Sequence, residues 1–184
     1  MIVNDQNQWQ RQALVVAAIC VVAQLAVAPY LALGGGHPNF MVVCALVITL
    51  MGGGASAILG SFLAGLFFDL TSTTPLGLMA FELTVASFLL GFEGRDRILE
   101  EPVLAFRDAC VVALVVELVY QLALLLVGQG TPFVDMVFLR WLPASLLDWL
   151  ALVPFVFVLS RPRTDGLSLG GPKGRGIQGK RYRL

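Results

Sequence analysis

Apolar residues along this chain fall into six runs, separated by short clusters of glycine, proline and polar side chains. The first covers residues 13–33, the fifth 103–127 and the sixth 133–159, each long enough to reach the roughly 20 apolar residues that a membrane-crossing helix needs. Three tighter runs lie between them, at 40–51, 55–68 and 75–92. The second and third are parted only by Gly52, Gly53 and Gly54, and both are short, so they must tilt little, thin the bilayer or shelter against neighbouring helices. The pattern predicts an all-α integral membrane protein. Its six transmembrane helices form a compact bundle over residues 13–159, after an N-terminal segment 1–12 and before a basic tail 160–184. Reading 40–68 as one kinked helix would give five spans instead.

Within the third run, spacing separates two faces. Gly53, Ala57, Ser61 and Gly65 recur every four residues, and Gly52, Ser56, Gly60 and Ala64 form the adjacent row, while Ile58, Leu59, Phe62, Leu63, Leu66 and Phe67 lie opposite. A small-residue face allows backbone-to-backbone approach, which drives helix association in lipid, where hydrophobicity does not. Four residues beyond Gly65 comes Asp69, so its carboxylate continues the packed face and ends against protein. After a short polar loop, Thr74 is placed to cap a helix that starts at Pro75, a favoured first helical residue. Asp69 then faces the positive end of that helix and pins a tight hairpin, with a ligand-binding or catalytic role as the alternative.

Charge orients the bundle. The chain has 12 basic and 12 acidic residues, so net charge carries no information, but their placement does. Arg11, Arg95, Arg97 and the seven basic residues after Leu159 all fall on one side if six spans are drawn, and the loops on the other side contain no Lys or Arg. By the positive-inside rule both termini are cytoplasmic. A five-span chain would break that rule. The first run lacks the basic flank of a secretory signal, and Pro29 follows the only small-residue cleavage pattern, so it is expected to remain as a helix. The tail lacks apolar periodicity and is expected to be disordered, with its basic ends against anionic lipid. Composition agrees with a membrane setting, at 58% hydrophobic, 13% charged and a mean hydropathy of +0.84. Cys20, Cys44 and Cys110 stand singly in apolar runs, with neither metal-ligand nor disulfide spacing.

Ionisable residues inside spans are costly and therefore informative. Glu82, Glu117 and Arg140 fall at similar depths, about 10–15 Å in from one end of their helices at a rise of 1.5 Å per residue. An arginine between two carboxylates suggests a buried ion-pair cluster that locks the fourth, fifth and sixth helices, with a ligand or proton site and a partner-helix contact as the alternatives. Asp148 lies deeper, with no basic neighbour within a turn, and is expected either to be protonated or to meet the Tyr120 or Gln121 side chain. Enzyme chemistry finds little support. The single histidine, His37, sits in a "GGGHPN" turn, which rules out paired-histidine zinc motifs and Ser/His/Asp triads, and no phosphate-cradling glycine loop occurs. No metal, cofactor or nucleic-acid site is expected.

A glycine-rich helix ending in aspartate, a short polar loop and then "PLG", here Gly60, Gly65, Asp69, Pro75, Leu76 and Gly77, resembles the signature of the MreD rod-shape-determining proteins. Chain length and the six-span layout are similar too. The resemblance implies a non-catalytic scaffold in the bacterial inner membrane, part of the cell-elongation machinery. It implies an MreC-type membrane protein as partner and, through it, the MreB filament and the peptidoglycan synthases. That helix arrangement is also similar to the vitamin-binding S-components of energy-coupling-factor transporters, so a substrate-binding transporter subunit is the alternative.

Overall fold

The computed structural model describes residues 2–31, 35–52, 54–93, 102–129 and 132–159. Gly53, the central basic loop and the tail expected to meet anionic lipid lie outside the described residues. Among the described residues the chain is all-helical. Helix α1 (Ile2–Ala26) ends in a 3-10 turn (Ala28–Tyr30), and α2 (Phe40–Gly52), α3 (Gly54–Thr71), α4 (Leu78–Glu93) and α5 (Pro102–Leu126) follow. Helix α6 opens as a turn (Phe133–Asp135), passes through a π-helical stretch (Met136–Trp141) and continues as Leu142–Leu159. The π stretch has a local cause: Pro143 has no backbone N–H to donate and its ring crowds the preceding turn, so regular α pairing fails just before it.

Helix α2 is the axis of the bundle. It packs against α1, α3, α4, α5 and α6, and every residue from 41 to 50 is buried, with Val42, Val43, Ala45 and Leu46 fully enclosed. A helix apolar on all sides has to be surrounded, and this one is surrounded by protein. Among the described residues, four outer segments are long and apolar enough to cross a membrane: Gln10–Tyr30, Gly54–Thr71, Val103–Leu126 and Phe133–Val158. The apolar helices Phe40–Met51 and Leu78–Phe92 are shorter. A 13-residue helix such as α2 spans only about 20 Å at 1.5 Å per residue, against a hydrocarbon layer about 30 Å thick. At least one of its ends must therefore lie below the membrane surface, where water cannot satisfy the terminal backbone groups.

The most extensive helix pair is α3 against α4. On α3 the buried residues are Ala57, Ser61, Ala64, Gly65 and Asp69, while Leu59, Phe62 and Leu63 are exposed. Gly65 touches the backbone of α4 so closely that a Cβ there would lie 2.5 Å from Ala80 Cα and 2.7 Å from Ala80 N. Polar groups reinforce the same seam. The Ser87 hydroxyl of α4 donates to Ser61 Oγ of α3, and Thr49 Oγ1 of α2 lies 2.8 Å from Ser87 Oγ, so three hydroxyls tie three helices deep in the bundle. Across the bundle, Trp141 Nε1 and Trp149 Nε1 of α6 donate to the carbonyls of Leu114 and Cys110 on α5, at 3.0 and 2.9 Å. Cys20, Cys44 and Cys110 are free and buried.

Candidate functional site

Two short helices begin inside the protein, and each takes a carboxylate from a longer helix at its N-terminus. At α4 the donor of that carboxylate is Asp69, 2% exposed, at the end of α3. Its Oδ2 accepts from Gly77 N at 2.9 Å and Ala80 N at 3.1 Å, and its Oδ1 from Met79 N at 3.2 Å. These are the N–H groups that a helix start leaves without intrahelical partners, and the helix dipole favours a negative charge there. Gly77 adopts φ +95°, a left-handed conformation that glycine accepts at little cost, and this turns its N–H toward Asp69. The cap assigned to Thr74 is therefore corrected, as is the start of the helix. Residues 75–77 form a turn, α4 begins at Leu78 and Asp69 caps it, while the Thr74 hydroxyl meets Ser72 at 2.6 Å and accepts from Tyr120 at 2.9 Å. Pro75, Leu76 and Gly77 thus form the turn that Asp69 holds.

The N-terminus of α2 is arranged in the same way, through residues that no charge pattern singled out. Asn39 is its cap: Oδ1 accepts from Met41 N at 3.2 Å and Val42 N at 3.3 Å. The backbone N–H of Asn39 donates to Asp148 Oδ1 of α6 at 2.6 Å, and its side-chain amide donates to Glu117 Oε1 of α5 at 3.2 Å. Gln24 of α1 completes the set by accepting from Phe40 N at 2.8 Å. Asn39, Glu117 and Asp148 are all buried, and together they join α2, α5 and α6 at one point. Asp148 therefore meets the backbone N–H of Asn39 rather than Gln121 or Tyr120, whose hydroxyl donates to Thr74 instead. The signal for Asn39 was present in the sequence as an asparagine immediately before an apolar helix, a favoured capping position.

The ion-pair cluster of Glu82, Glu117 and Arg140 is not formed among the described residues. The one salt bridge there joins Arg107 to the adjacent Asp108 at 2.8 Å. Glu82 is 8% exposed, and neither of its carboxyl oxygens has a hydrogen-bond partner, nor does Asp148 Oδ2. Nothing in the structure explains the burial of Glu82. The expected alignment of Arg140 with Glu82 assumed a regular helix, whereas Arg140 lies in the π stretch, where wider turns change the direction of each side chain.

Arg140 instead borders a polar cavity of about 270 Å³ that Glu117, Asn39, His37, Tyr120 and Gln121 also line. Phe68 closes part of its wall and stacks edge-on against Tyr120, with ring centroids 5.8 Å apart. A second groove, of about 520 Å³ and almost wholly apolar, runs between α1, α2 and α3, with Ser56, Gly60 and Ala64 along one side. Of the small-residue face, Ala57, Ser61 and Ala64 are buried, and Gly53 is outside the described residues.

No curated protein and no solved structure matches the chain. Residues 6–161, which hold most of α1, the whole of α2 to α6, both carboxylate caps and the Asp69-to-Gly77 turn, match the family model described as rod shape-determining protein MreD, and the chain belongs to that family.

Proposed function

We propose that the protein is a non-catalytic scaffold of the bacterial cell-elongation machinery, held in the inner membrane by six spans with both termini cytoplasmic. The observation that carries this reading is the family match over residues 6–161, since rod-shape determination is the role its description names. The use of the carboxylates supports it. Asp69 and Asp148 are engaged by backbone N–H groups of α4 and α2, which suits them to hold helices in place rather than to transfer protons to a substrate. The partner is an MreC-type membrane protein, linking indirectly to the MreB filament and to the peptidoglycan synthases. Mild-detergent capture of the tagged full chain followed by mass spectrometry should recover an MreC-type protein. Its consistent absence, with the tagged chain folded and supporting rod shape, would reject the partnership. The polar cavity favours the second reading, a substrate-binding transporter subunit, and recovery of an ATPase with its coupling module would support that instead.

Topology is tested separately. Single cysteines introduced as His37→Cys, Asp135→Cys and Ser168→Cys, in a chain whose three native cysteines are replaced, are expected to divide. Positions 37 and 135 react with an impermeant thiol reagent added outside, and position 168 reacts only after the membrane is opened. Outside labelling at 168 would reverse the assigned orientation.

A further inference from the structure

Arg140 and Glu117 line the same small cavity, yet no salt bridge joins them. Arg140 has no hydrogen bond and no ion pair among the described residues, and the one hydrogen bond of the Glu117 side chain among them is from the Asn39 amide. A guanidinium and a carboxyl group on the walls of one cavity can pair directly through two parallel N–H donors, so a cavity built only for stability would bring them together. Here they stand apart on its walls, and the intervening space is bordered by further hydrogen-bonding groups, His37 and Gln121. The arrangement is complementary to a molecule that carries both charges itself. The volume of about 270 Å³ equals that of roughly nine waters at ~30 Å³ each, room for a molecule the size of phosphoethanolamine.

We propose that this cavity binds a small zwitterion, with an anionic group against the Arg140 guanidinium and an ammonium group against the Glu117 carboxylate. The guanidinium can hold a phosphate or carboxylate through two parallel N–H donors, and a carboxylate accepts well from an ammonium. The same chemistry is offered by two sources: a free molecule such as phosphoethanolamine and the headgroup of phosphatidylethanolamine.

The test uses the full chain purified in mild detergent. Titration calorimetry compares phosphoethanolamine with inorganic phosphate and with ethanolamine, and native mass spectrometry compares phosphatidylethanolamine with phosphatidylglycerol. The zwitterion, free or as the lipid headgroup, is expected to bind about tenfold or more tightly than either single-charge probe or the anionic lipid, because it alone engages both groups. Binding of free phosphoethanolamine without the lipid assigns a soluble source, and binding of the lipid, with or without the free molecule, assigns the headgroup. Arg140→Gln and Glu117→Gln should each weaken binding by about tenfold or more, and glutamine at 117 keeps an acceptor for Asn39. The comparison of probes on the unaltered protein stands even if a variant fails to fold. The proposal is overturned if neither zwitterion binds, if phosphate or ethanolamine alone binds as tightly, or if both variants fold and bind as the unaltered protein does.

Discussion

Asp69→Ala is expected to lower stability by about 3–5 kcal/mol, because it strips one capping carboxylate and leaves N–H groups of a buried helix start without partners, each costing ~1–3 kcal/mol. Three donors are affected, those of Gly77, Met79 and Ala80, and the last two are buried. Water cannot easily replace the carboxylate, since Asp69 is 2% exposed and sits between α3 and α4. Asp69→Asn should recover part of the loss. Its single carbonyl oxygen can serve one side of the cap, but its amide would turn a donor toward another donor. The same alanine change at Asp148 removes one backbone acceptor contact instead of three and should cost less. Unfolding in mild detergent, followed by helical circular dichroism, ranks the variants. If Asp69→Ala melts with the unaltered protein, the cap is not what holds this hairpin.

Several features of the fold and site were legible because their causes are local. Asp69 follows Gly65 by four residues, so its position on the packed face of α3 could be read from spacing alone, and its proximity to the next helix start followed from the short loop. The start of α4 was misplaced for an equally local reason. Pro75 suits a first helical turn, but the glycine two positions later takes a positive φ, and that conformation ends a turn rather than continuing a helix. The contacts of Asn39 were harder to see. Its capping role is written in the residue before an apolar run, but its partners Glu117 and Asp148 lie 78 and 109 positions away. No periodicity links such positions; only the central, surrounded placement of α2 brings three helices to its first residue. Arg140 was misread because depth was counted along a regular helix. Pro143 disturbs that regularity by one local rule, and Arg140, inside the resulting π stretch, borders the polar cavity instead of pairing with Glu82.

The largest effect is expected at Gly65. A Cβ at this position would meet Ala80 Cα at 2.5 Å, Ala80 N at 2.7 Å and the Met79 carbonyl at 2.7 Å. All three are backbone atoms, so no side chain can rotate aside and α3 and α4 must separate. Gly65→Ala is expected to cost about 1–3 kcal/mol, the usual range for overpacking a filled interior. Gly65→Leu adds a branched side chain where not even one methyl fits. Separation on that scale would also pull Asp69, four residues along the same face, away from the N–H groups it caps, and would part Ser61 from Ser87. Close packing and the polar contacts across it are what bind helices in lipid, so the loss is compounded along the seam. Gly65→Leu should therefore fail to accumulate as folded protein. Leu63→Ala is the control, because Leu63 is 54% exposed on the opposite side of α3 and its truncation removes mainly surface that lipid would otherwise touch. Expression level and thermal unfolding of the three variants decide the matter: equal behaviour of Gly65→Leu and Leu63→Ala would mean that α3 and α4 do not meet through this glycine.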